Sequence, residues 1–351
     1  MNRVASPGRV ARRRARRGRH HRHSGVVLIW FALLLVVLFG MLGLVVDGGL
    51  LMAGHRQAQN AADAAALAAA WDFALGEGAV AEQSARTYAS ANSTRGAFVE
   101  AFEPDLAAHE VTVTARTGDE ESAGFLTAWL AGVLGHDQYF TRASATAAWE
   151  ALGLGETIPL TFSWCEWQWM VGNPEDPQFP SDYKVIYHHE GTGKHDEIQQ
   201  DCQGPAGQYT PGGFGWLDPD GSGECKATIT EGWMDGDTGS GTPSPAESTG
   251  CTSEYFASLL DQTIFLPIFV GEPDGVGSNA SYEIVGFAGF HLHGYRLSGG
   301  PEWNRAIDGY AVPCSGDARC ISGVFTEYVT LGDKSDEGGM DLGASVVTLV
   351  K

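Results

Sequence analysis

The sequence predicts a single N-terminal transmembrane helix that runs on into an alanine-rich helix. An α+β extracytoplasmic unit and then a β-rich, disulfide-braced domain follow. Three observations predict this. Residues 26–46, VVLIWFALLLVVLFGMLGLVV, carry no charge and no polar side chain except the Trp30 indole. Alanine then dominates residues 58–70. After about residue 158 helical spacing gives way to short alternating runs among Gly, Pro, Asp and Trp, with six cysteines between 165 and 320.

Residues 1–25 read as a basic tail. Nine arginines (Arg3, Arg9, Arg12, Arg13, Arg14, Arg16, Arg17, Arg19 and Arg22) precede Gly25, and no acidic residue does. All 43 acidic residues follow, against thirteen remaining Lys and Arg, a balance of −30 beyond the tail. A basic flank stays on the cytoplasmic side of a span, so the tail is expected inside and residues 47 onward outside. The −30 argues against a nucleic-acid partner there, and the tail is expected to touch membrane lipid.

Residues 26–46 form the expected transmembrane helix. At about 1.5 Å rise per residue such a run crosses a hydrocarbon core of roughly 30 Å. The run is longer than the apolar region of a signal peptide, and no strong small-x-small site follows it, so a retained anchor is expected. The helix should continue to about residue 75, since alanine is the best intrinsic helix former. Gly48 and Gly49 break it at most locally, and Gly76 and Gly78 end it.

The region 47–157 reads as helix and α+β structure. A second helix is expected over 79–91, a strand over 109–117, a helix over 121–135 from the spacing of Phe125, Leu126, Trp129, Leu130 and Val133, and a strand over 139–149. The region 158–351 reads as the β-rich domain. Its strand candidates are 183–189, 225–230, 263–270, 282–297, 323–331 and 345–350, with one short helix over 254–261. An exported position makes disulfides plausible for Cys165, Cys202, Cys225, Cys251, Cys314 and Cys320, with connectivity open.

The segment GLVVDGGLLMAGHRQAQNAADAAALAAA resembles the N-terminal region of TadE/TadG-like proteins of Flp (tight adherence) pilus assembly. The matching residues are Asp47, Gly48, Arg56, Gln59, Asp63, Ala64, Ala65, Ala66, Leu67, Ala68 and Ala69. The likeness continues through ARTYAS, VTV and ASATAAW to about residue 150; beyond 158 only a looser likeness to cysteine-containing extensions remains. The resemblance implies a membrane-anchored accessory or structural component of pilus assembly or secretion, with other span-containing components as partners. Type IV prepilins carry a glutamate five residues after the cleavage glycine. Here Trp30 stands at that position after Gly25, so prepilin processing is not expected. LDPDGSGE lacks the second serine and the preceding apolar strand of a von Willebrand A metal loop.

A docking surface is expected on the alanine helix. Ala58, Ala61, Ala62, Ala65 and Ala69 fall on one face, and small faces let helices approach closely. Gln57, Asn60 and Asp63 flank that face, and Asp47 marks the end of the apolar run. Other constellations point to plainer roles. Asp218, Asp220, Ser222 and Glu224 alternate oxygen-bearing side chains that calcium could use, yet Ile229 stands where an EF-hand needs glutamate. An acidic turn is expected and no metal or cofactor. His188, His189, His195, Asp196 and Glu197, with His291 and His293 on one strand face, are expected as surface or lightly buried groups. The tryptophans of SWCEWQWM alternate, with Trp167 and Trp169 on one face and Trp164 on the other. Together with Trp216, Trp233 and Trp303 they suit core packing or a sugar-binding surface. GxSxG at a strand-to-helix turn, HExxH and the P-loop pattern are absent, so no enzyme is expected. The alternatives are a membrane-tethered binding or adhesion domain and, less favoured, a secreted hydrolase.

Overall fold

The computed structural model describes residues 24–94, 96–118, 126–127, 138–188, 201–230, 232–236, 243, 249–275, 280–297, 302–303, 318–332 and 338–350. The chain divides into two units, one of residues 1–53 with 126–139 and one of residues 54–125 with 140–351.

Helix α1 is unbroken over Ser24–Ala74. Gly48 and Gly49 lie within it and do not interrupt it. It ends where Gly76 takes φ +69°, a conformation that glycine adopts without a Cβ clash. In the first unit the described residues are the start of α1 and a two-residue antiparallel pair, Leu126–Thr127 with Gln138–Tyr139. That pair corrects the helix expected over 121–135: Leu126 and Thr127 are strand, and the rest of that stretch lies outside the described residues. Isolated apolar runs satisfy helix and strand patterns alike, which is why spacing misjudged this one.

The second unit begins with the alanine half of α1, followed by α2 (Ala81–Ala91), β1 (Ala97–Asp105), β2 (Glu110–Thr117) and β3 (Arg142–Ala151). Strands β4 (Leu160–Ser163), β5 (Lys184–Tyr187), β6 (Phe214–Trp216) and β7 (Trp233–Asp235) come next, with helix α3 (Trp164–Val171) after β4. The chain continues through α4 (Ser253–Ser258), β8 (Thr263–Asp274), β9 (Ser281–Arg296), β10 (Glu302–Trp303), β11 (Cys320–Thr326), β12 (Tyr328–Leu331) and β13 (Ala344–Leu349). One sheet has the order β1-β2-β3-β13-β12. A larger one has the order β5-β11-β9-β8-β4-β6, with β7 and β10 also paired to β9. The smaller sheet is shared by strands from both sides of residue 157, since β13 pairs antiparallel with β3 and parallel with β12.

Two cores result. On the smaller sheet Val111, Val113 and Ala115 alternate inward along β2 and meet the alanines of α1 and α2. The larger sheet gathers Phe162, Trp167, Phe214, Trp216, Phe290 and Phe325, each 2 % exposed or less. Their rings meet mostly edge-on, as between Phe162 and Phe290 at 5.1 Å.

The stretch SWCEWQWM is helix rather than an alternating run, a second correction. Ser163 caps it, its Oγ accepting from the Cys165 N–H at 3.1 Å. Trp164 and Trp167, one turn apart, therefore share the buried face, and Trp169 is 45 % exposed. The Trp167 indole N–H donates to the Leu342 carbonyl at 3.2 Å. These tryptophans serve the core, beside the disulfide of Cys165.

Candidate functional site

The site begins with what α1 meets along its length. Between residues 26 and 46 its large apolar side chains, Leu35 excepted, are 41–71 % exposed. Each such side chain gains about 1.5–3 kcal/mol on leaving water, so the band suits apolar surroundings. Length and composition give this segment the character of a single-pass membrane anchor.

Exposure then changes sharply. Gly43, Asp47, Gly54 and Ala58 are buried and lie on one face of the helix. The same stripe continues through Ala61, Ala62, Ala65, Ala66, Ala69 and Ala70, all at 0 % exposure. These last six pack against Ala81, Ala85 and Ala89 of α2 and against Val99, Val111, Val113, Ala145, Ala147 and Val347 of the smaller sheet. The docking face expected from sequence is thus covered by the chain's own α2 and sheet. The alanines are small because another backbone lies close to them, and here it belongs to the same chain.

Of the flanking polar residues, Gln57 and Asp63 are engaged within the chain as well. Gln57 Nε2 donates to Thr94 Oγ1 at 3.1 Å, and Gln59 Nε2 donates to Asp63 Oδ1 at 2.6 Å. Asn60 is exposed and Asp47 is 7 % exposed. Nearby, Ala64, Leu67, Ala68, Trp71, Tyr88 and Leu331 line an open groove of about 440 Å³ on the outer side of α1 and α2.

The other sequence candidates fall into place individually. Cys165 is bonded to Cys202 and Cys225 to Cys251. Cys320 is disulfide-bonded too, and Cys314 lies outside the described residues. In the acidic turn, Asp220 Oδ1 accepts from the Ser222 N–H at 2.9 Å and Oδ2 from Thr228 Oγ1 at 3.1 Å. Glu224 pairs with Lys226 at 2.9 Å, and Lys226 also reaches Glu156 at 3.2 Å. These carboxylates brace a turn beside the Cys225–Cys251 bond. Trp216 is buried, whereas Trp233 and Trp303 are exposed.

His188 is buried, with Phe214 edge-on at 5.0 Å. His189, His195, Asp196 and Glu197 lie outside the described residues. His291 and His293 do share a face of β9, and Asp261 joins them, the ligand atoms of the three lying within 4.8 Å of one another. Sequence reasoning missed Asp261. Its signal was the antiparallel register: Thr263 opposes His291, so two residues further back Asp261 falls opposite His293.

Glu166, at 3 % exposure in α3, is an ionisable group that the fold alters strongly. Burial pushes its carboxyl up to about 7, against the opposing effects of the Gly213 N–H donating at 2.9 Å and of the Lys184 charge. Lys184 itself lies over the Trp169 ring, 3.1 Å from its centroid.

No curated protein and no solved structure matches the chain. One family model does, and it covers residues 25–72. The matched stretch begins one residue inside α1 and stops two residues before its end, so it takes in both the exposed apolar half and the buried alanine half. Over residues 25–72, therefore, the chain is similar to the family described as putative Flp pilus-assembly TadE/G-like.

Proposed function

We propose that the chain is a non-catalytic, membrane-anchored component of a Flp/Tad-type pilus assembly or secretion apparatus. Its arginine tail lies in the cytoplasm, and the folded unit of 54–118 and 140–350 stands outside. One observation carries the reading: the family segment at 25–72 coincides with α1, the helix whose first half is bare and apolar and whose second half is built into the folded core.

The orientation rests on nine arginines before the span. Disulfides at Cys165–Cys202 and Cys225–Cys251 suit an oxidising compartment. With the alanine face already covered, contact with other span-containing components falls to the apolar half. Within lipid, helix association rests on close packing, and Gly40 offers a small position there, with nothing within 4 Å of where a Cβ would stand.

Replacing residues 26–42 with an unrelated apolar stretch of equal length tests this. The swapped chain is expected to remain in the membrane fraction with an unchanged melting temperature, but to stop co-purifying with other pilus components. Co-purification that survives the swap, or that is absent for the unaltered chain, contradicts the proposal.

A further inference from the structure

We propose that Asp261, His291 and His293 form a site for one divalent transition-metal ion of the zinc class. The fold brings them together in three steps. Phe290 and Leu292 point into the core, at 0 % and 3 % exposure, so His291 and His293 emerge on the other face of β9. Next, Leu292 pairs with Gly323 on β11 and Gly294 with Ser322, which leaves His293 as the extra residue of a bulge. Bulges re-aim side chains and recur beside functional sites.

The third step is the turn before β8. Asp261 adopts φ +55°, a left-handed conformation that aspartate tolerates better than most residues. Its N–H donates to the Leu292 carbonyl at 2.9 Å, and the Leu292 N–H donates to the Gln262 carbonyl at 3.0 Å. The backbone between the two histidines thereby holds the carboxylate against them.

The side-chain geometry has an unmet demand at its centre. His293 Nδ1 is buried and has no hydrogen-bond partner. The nearest opposite group, Asp261 Oδ1, is 3.9 Å away, beyond hydrogen-bond reach. Ligands about 2.0–2.2 Å from a tetrahedral zinc ion stand roughly 3.3–3.5 Å apart. The observed gap closes with small rotations of side chains that are only partly buried. His291 Nδ1 meets Thr263 Oγ1 at 3.2 Å, which orients the ring and leaves Nε2 to coordinate. Such outer partners are a regular part of metal–histidine sites.

Two imidazoles and one carboxylate select a borderline ion over calcium or magnesium, which prefer all-oxygen shells. Three protein ligands leave a fourth position open. The Asp261 side chain is 78 % exposed, so water or a group from another molecule can reach that position. The −30 balance beyond the tail raises the local cation concentration.

The test uses the full chain in detergent, stripped by a chelator, with Zn2+ as the probe. His20, His21 and His23 of the basic tail are replaced by glutamine in every sample, because that cluster would bind ions itself. No described cysteine is a free thiol that would compete. Competition against a chromophoric chelator is expected to give one Zn2+ per chain. H291A and H293A should each weaken it at least 100-fold, and D261N about tenfold. Zn2+ should raise the melting temperature of the parent and not of H291A or H293A. If a histidine variant fails to fold in EDTA, D261N decides, since asparagine accepts the left-handed turn and alters only the ligand. A parent that takes up no Zn2+ at one per chain overturns the proposal. So do variants that bind as tightly as the parent, or, where the histidine variants do not fold, a D261N chain of parental affinity.

Discussion

The two halves of α1 have the same backbone and opposite surroundings. From 26 to 46 the side chains are large and bare; from 58 to 70 they are small and one stripe is fully covered. A large apolar side chain is useful when the solvent is hydrocarbon, because every methylene contributes to partition. A small one is useful when a sheet lies against the helix, because a longer side chain would hold the two apart. Size, more than hydrophobicity, thus separates the bare half of α1 from the half built into the fold.

The largest expected effect comes from placing charge in the bare half. L34R together with V37R should cost about 5–7 kcal/mol of insertion free energy, at about 2.5–3.5 per arginine, and empty the membrane fraction. The same change should leave the melting of the folded unit where it was. Equal loss of both would break the distinction between the halves.

Next comes pH, which should act on the folded unit alone. Glu166 has a carboxyl raised to about 7, so between its unfolded value and about 7 the native state holds a proton that the unfolded state has released. The native state binds more protons, so stability is fully present below about 4.5 and falls as pH rises through about 7. At 1.36 kcal/mol per pH unit the loss is about 3 kcal/mol. E166Q should flatten that slope in a series of denaturant melts, whereas a slope that persists in E166Q assigns it elsewhere.

Enlarging the covered stripe should come third. A65L overfills a position with 0 % exposure and should cost about 1–3 kcal/mol in thermal melting, with membrane retention unchanged. A65L that melts like the parent would mean the stripe is not packed. The smallest effect is expected for Q57A, which removes one partly exposed hydrogen bond to Thr94 and should cost about 0.5–1.5 kcal/mol.

Much of this was readable from the chain. The apolar run, the alanine continuation, α2, and strands such as β2 and β9 announce themselves through local spacing, and the cysteines through their even number. What escaped depends on distant partners. β1, with its bulge between Val99 and Ala101, lacks clean alternation and exists because β2 pairs with it. β13 pairs with β3, which lies some 200 residues earlier in the chain. In SWCEWQWM the tryptophans suit either period, and the Ser163 cap tipped the stretch to helix. The alanine face was legible as a close-packing surface, but its partner was not, because small residues say how near a neighbour comes and not which chain it belongs to. Asp261 reached the two histidines only through the register of β8 on β9.

Spin labels placed singly from residue 28 to residue 70, in the full chain within a bilayer, test the central claim most directly. Oxygen accessibility should be high without helical period from 28 to 42. It should then drop at every covered position, at 58, 61, 62, 65 and 69, with a period of about 3.6 residues. Uniform accessibility across 58–70, or water-like accessibility to a polar reagent across 28–42, would contradict the division of one helix between lipid and its own fold.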